Sequence, residues 1–188
     1  IRHSMRSVAV LLVAASQLWA PGTAGGVDQL NAARQDPGLR IVVAEGEGQN
    51  YWPNWRGPSG QGLVEGAGYP DTWSDTENVL WKASVPGVGH SSPIIWEDQI
   101  FLTTSYEDGT RMSVMSFDRT SGERLWETPI PFSSREHIHQ KNSHASATPV
   151  TDGELVFASF GQQGLVAVDL DGNLVWHNRV EDLDNYHG

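Results

Sequence analysis

From residue 91 onward, apolar positions come in short runs broken every few residues by acids, glycine or Ser/Thr. "SSPIIWEDQIFLTTS" (91–105) is two apolar runs around Glu97-Asp98, and "SATPVTDGELVFASF" (146–160) is two runs around Asp152-Gly153. Such runs predict β-strands joined by tight turns, because Asp and Gly either tolerate positive φ or bond their own backbone. In both copies a Ser/Thr-Pro precedes a Phe at the same distance, Pro93 to Phe101 and Pro149 to Phe157. No segment after residue 50 sustains a helical period, so the fold class predicted is all-β.

A second pattern recurs with the first. "SFDRTSGERLWETPI" (116–130) and "AVDLDGNLVWHNRV" (167–180) each open a turn with an Asp (Asp118, Asp169) and place a Gly four residues before a Trp: Gly122 before Trp126, Gly172 before Trp176. Each unit therefore reads strand, hairpin, strand, connection, strand, acidic Gly turn, strand with Trp, over about 91–130 and about 146–180. The spacings Trp81 to Trp126 and Trp126 to Trp176 are 45 and 50 residues. Four antiparallel strands at this period mark a β-propeller blade. A blade alone has two apolar faces and is unstable, so its outer strand needs a large flat side chain to fill the seam with its neighbour. On this reading the acid and Gly form the hairpin that delivers Trp126 or Trp176 to the seam.

"ENVLWKASVPG" (77–87) has the Leu80-Trp81 of a fourth strand without the three that should precede it. In a closed ring such a strand completes the last blade and removes free edges. The expectation is a partial propeller: about two four-stranded blades plus an N-terminal strand that would close the ring, with further blades beyond residue 188. Trp81, Asp118, Gly122, Trp126, Asp169, Gly172 and Trp176 are the predicted docking residues.

The N-terminal quarter is different. "MRSVAVLLVAASQLWAPGTA" (5–24) has a basic start at Arg6, an apolar run from Val8 to Ala15, and small residues Gly22 and Ala24. This order is that of a secretory signal, and the run is well short of the roughly 20 residues a membrane span needs. Residues 1–4 precede the first Met and read as upstream translation. Residues 25–50 are rich in Gly, Ala, Gln and acids and read as a flexible leader. Residues 51–75 open with "YWPNWRGPSGQG", an aromatic strap whose Pro and Gly exclude a long helix.

Composition narrows the chemistry. The chain has 188 residues and no cysteine, so stability comes from burial rather than disulfides, and thiolate-metal, Cys-nucleophile and lipid-anchored lipoprotein readings are excluded for it. Without residues 1–24 it keeps 10 basic against 23 acidic residues, a net charge of about −13, which argues against a nucleic-acid partner.

At this point the residues resemble a family. "WPNWRGPSGQG", "VLWKASVPGVGHSSPII", "FDRTSGERLWE" and "KNSHASATPVTDGELVFASFGQQGLVAVDLDGNLVW" are similar to the exported proteins built of PQQ-like β-propeller repeats. These include the outer-membrane assembly factor and quinoprotein alcohol dehydrogenases. The resemblance covers about 51–188 and implies a fold, not a chemistry. Family rings have seven or eight blades, which makes this chain read as the N-terminal part of one.

Site residues are sparse. No catalytic, cofactor-binding or metal-binding set is present in the sequence, which has no GxSxG, P-loop or HExxH. "REHIHQKNSHAS" (135–146) is the richest polar stretch, and His137 with His139 would share a face if extended. No acid or cysteine completes a metal set, and an inter-blade loop is the simpler reading. If a ligand binds at the ring's mouth, Lys141, Asn142 and His144 are the chosen contacts, with His90 before the equivalent strand of the first blade. Arg56 is read as stacked on Trp52 or Trp55 rather than meeting an anion.

The function expected is a non-catalytic exported module, periplasmic or extracellular, that binds a protein, carbohydrate or small ligand without a cofactor or a membrane span. The alternative is a quinoprotein alcohol or sugar dehydrogenase, with PQQ and calcium held by the full-length protein.

Overall fold

The computed structural model describes residues 8–12, 45–64 and 66–179. The rest of the segment read as export signal, most of the leader, and residues beyond 179 lie outside the described residues. The elements are β1 (Val8–Leu12), β2 (Trp81–Val85), β3 (Ile94–Trp96), β4 (Gln99–Tyr106), β5 (Arg111–Asp118), β6 (Arg124–Pro129), β7 (Val150–Thr151), β8 (Leu155–Ser159), β9 (Leu165–Asp169) and β10 (Leu174–Asn178), with short 3-10 turns at Glu47–Asn50 and Gly161–Gln163. No α-helix occurs among the described residues. The fold is all-β.

Strands β3-β4-β5-β6 form one antiparallel sheet and β7-β8-β9-β10 a second, each in sequence order. These are two propeller blades, and they do not close a ring. The two central strands of the first blade are buried on both faces, which is why β4 and β5 read as nearly continuous apolar runs. Side chains alternate across the sheet. Phe101, Met112 and Val114 face the second blade and pack with Val156, Phe160, Val166 and Val168. Ile100, Leu102, Met115 and Phe117 face the other way and pack with Val85 of β2. Thus β2 lies on the first blade as that blade lies on the second.

β1 pairs antiparallel with β2, Val8 opposite Val85 and Leu12 opposite Trp81. It falls in the run read as the apolar core of an export signal. A Val- and Leu-rich run has the strand propensity to take a bare backbone edge.

The succession of strands assigns every loop to one of two ends. The β3–β4, β5–β6, β7–β8 and β9–β10 turns lie at one, the hairpin end. The β2–β3 link, the β4–β5 turn, the long β6–β7 connector (130–149) and the β8–β9 turn lie at the other, the connector end. β3 and β7 are the innermost strands and approach each other. The strap stitches both at the hairpin end: Trp52 and Ile95 exchange backbone bonds of 3.0 and 2.8 Å, and Thr151 N–H donates to Pro53 O at 2.9 Å. Tyr51 sits against Trp96 with ring centroids 4.8 Å apart.

Candidate functional site

The seams come first, because they position everything else. Trp81 of β2 lies on Gly122 of the first blade, and its Nε1–H donates to Arg119 O at 3.0 Å. One repeat later, Trp126 lies on Gly172 of the second blade, and its Nε1–H donates to Leu170 O at 2.9 Å. The Asp-Gly turn does lead into the strand that carries the tryptophan four residues on, and the glycine has a second role that the spacing did not imply. It seats the tryptophan of the preceding blade. A Cβ on Gly172 would come within 2.7 Å of the Trp126 ring, and φ of +89° favours glycine there as well. Trp176 is 39% exposed.

The acids hold these turns. Asp118 Oδ1 accepts from the N–H groups of Thr120 (2.9 Å) and Ser121 (2.7 Å) and from the Ser121 hydroxyl. Asp169 Oδ1 accepts Asn173 N–H at 2.7 Å, and its Oδ2 accepts the Asn173 side-chain amide at 2.9 Å. Both carboxyls are held below their ordinary value of 3.8, Asp118 by the Ser121 N–H and hydroxyl and Asp169 by the Asn173 amides. Asp152, capping the β7–β8 turn, is lowered by the N–H groups of Leu155 and Glu154.

A depressed folded pKa contributes stability above the unfolded value and loses it as pH falls through the folded one. We therefore expect stability to drop below about pH 4. The Asp118→Asn, Asp152→Asn, Asp169→Asn triple variant should show a flatter acid limb in chemical denaturation against pH; an unchanged limb would contradict this role.

At the connector end the four residues chosen as ligand contacts meet only in part. His90 N–H donates to Ala145 O at 3.0 Å, which brings the two blades' inner segments together. The His144 ring, however, packs on Gly109 and bonds Glu136 O at 3.0 Å, so it points into the loop cluster. Asn142 Oδ1 accepts the Ser146 hydroxyl at 2.6 Å. His90 and Lys141 are exposed. Arg56 stacks over Trp55, 4.1 Å from the ring centroid.

Two residues the sequence did not single out fasten the connector. Buried Glu136 accepts Gln162 N–H at 3.0 Å through Oε2, and Gly161 packs against its carboxyl. Gln163, 1% exposed, accepts the Ser133 N–H (3.0 Å) and hydroxyl (3.1 Å) and donates to Ser134 O at 2.6 Å. A third unexpected contact lies at the hairpin end, where Trp96 packs on Gly153 of the next blade. The only advance signal for it was the Asp-Gly turn. Elsewhere, Tyr106 donates to Glu127 Oε1 at 2.9 Å; burial and that carboxylate push its phenol up to about 12.

Among the described residues no group of three His, Asp or Glu could hold a metal ion, and no helix is long and apolar enough to cross a membrane. Residues 71–186 match the family model described as outer membrane protein assembly factor BamB, a model of PQQ-like repeats. The chain belongs to this PQQ-like repeat family. No curated protein matches it. The family match and the two docked blades agree: the chain is a β-propeller-type repeat module.

Proposed function

We propose that this protein is an exported, non-catalytic β-propeller module that binds a partner protein or ligand. The observation that carries the reading is the destination of the buried polar side chains in the connector-end loops. Glu136, Gln163 and Ser143 are each buried, and each bonds main chain of a neighbouring loop or blade. Buried polar groups in a catalytic centre converge on a reacting atom; these converge on backbone. They make a rigid platform that presents exposed loops. The family description names an assembly factor, a role of this kind.

The test is to give the full-length protein PQQ, calcium and an artificial electron acceptor with alcohols and sugars. We expect no quinone-dependent dye reduction. Reduction at a rate proportional to loaded quinone would overturn the reading in favour of a quinoprotein dehydrogenase. Export is checked separately by sequencing the N-terminus of the protein expressed with residues 5–24. We expect a mature chain beginning near Gly25, recovered outside the cytoplasm; an uncleaved cytoplasmic chain would contradict export.

A further inference from the structure

Charge is divided unevenly between the two ends of the blades. The hairpin-end turns (97–98, 118–124, 152–154 and 169–171) carry eight carboxylates against two arginines. The connector-end loops (86–92, 107–110 and 130–149) carry three, Glu107, Asp108 and the buried Glu136, against Arg135 and Lys141, with four histidines. In a chain of formal charge −11, the connector end is thus where an anion is repelled least. The ion pairs among the described residues join Lys82 to Asp75, Arg119 to Asp98 and Arg124 to Glu127, and leave Arg135 and Lys141 without a carboxylate.

The connector displays exposed basic and imidazole side chains in order. Arg135, His137 and His139 are exposed, while Glu136 is buried and Ile138 half-buried between them. Lys141 N–H donates to His139 Nδ1 at 3.2 Å, and exposed Lys141 stands at the far end of the row. The backbone beneath is fixed by Glu136, Gln163 and His144, so little ordering entropy is left for a binding partner to oppose. The hairpin end, by contrast, is crossed by the strap.

We propose that the connector segment 135–141 is the docking surface for an acidic, extended peptide segment of a partner protein. Carboxylates on alternate residues of such a peptide recur on one side, as exposed side chains recur at the alternate positions Arg135, His137 and His139. A short acidic segment suits two fixed cations and a short row of imidazoles. A nucleic acid gains affinity through many phosphate contacts, more than two fixed cations can meet. The proposal rests on the interaction-module reading.

Fluorescein-labelled oligoglutamate, oligoglutamine of the same length and an oligothymidylate of equal charge are titrated with the full-length protein at low salt, reading anisotropy. Oligoglutamate is expected to bind, to weaken as salt rises, and to lose at least about tenfold in affinity to the Arg135→Glu, Lys141→Glu pair, both exposed positions. Arg119→Glu, a lost cation at the hairpin end, should change it less than about twofold. Oligoglutamate binding no better than oligoglutamine, or equal sensitivity to both sets of variants, overturns the proposal. So does tighter binding of oligothymidylate, which would make the connector a nucleic-acid surface. Failure here with no dye reduction leaves the module reading standing; dye reduction defeats that reading whatever the peptides do.

Discussion

Replacing Trp126 by alanine is expected to destabilise the chain by about 3 kcal/mol or more, whereas Trp176→Ala should cost about 1 kcal/mol or less. The two tryptophans occupy equivalent positions in successive repeats, so propensity and strand context nearly cancel in the comparison. What differs is chiefly contact, since Trp126 is half-buried but seated on the next blade, whereas Trp176 is exposed. Trp126 packs on Gly172, touches Phe101 with ring centroids 5.9 Å apart, and donates its indole N–H to Leu170 O. Its removal opens a cavity along the seam and strands a carbonyl. Trp176 is 39% exposed and has Phe157 as its ring neighbour at 6.1 Å. Urea unfolding followed by circular dichroism checks the pair. Equal losses would mean that the seam is not where the stability lies.

Gly172→Ala is expected to be nearly as damaging, at about 2–4 kcal/mol. Two costs add at this position. The φ of +89° strains any L side chain, and the new Cβ meets three atoms of the Trp126 indole within 3.0 Å. The indole cannot retreat without giving up its bond to Leu170 O. Gly60→Ala separates the two costs, since Gly60 has a φ of +69° with nothing within 4 Å of the added carbon. That variant should lose only about 1 kcal/mol from backbone strain. If Gly60→Ala and Gly172→Ala cost the same, the glycine at 172 serves its turn alone and not the neighbouring blade.

The repeat was legible in the sequence because it is written in local terms. Alternation, Asp-Gly turns and the 45- and 50-residue tryptophan spacing sit within single blades, and they led to the two sheets and to the burial of both faces of the first. What joins blades was not legible in the same way. Gly122 and Trp126 are close in sequence, which invited a local role for the glycine, while the tryptophan it seats, Trp81, lies 41 residues earlier.

The connector shows the same limit. Its histidines marked the segment as polar, but only the packing shows His144 turned onto Gly109 while Arg135 and Lys141 stay outside. Glu136 and Gln163 read as ordinary loop residues. Their partners lie 26 to 30 residues away, beyond any pattern in one strand. Side-chain direction in an irregular loop is set by such contacts rather than by a period.

The central claim is that each blade seats the tryptophan of the one before it on its turn glycine. A double-mutant cycle of Trp126→Ala and Gly172→Ala, read by urea unfolding, tests it most directly. With the indole gone, the alanine at 172 has nothing to strike, so its cost should shrink to the backbone strain seen for Gly60→Ala. The account predicts a double variant about 1 kcal/mol less stable than Trp126→Ala alone, with a coupling between the sites of at least about 1 kcal/mol. Strictly additive losses would contradict it, because they would mean that Trp126 and Gly172 do not meet across the seam.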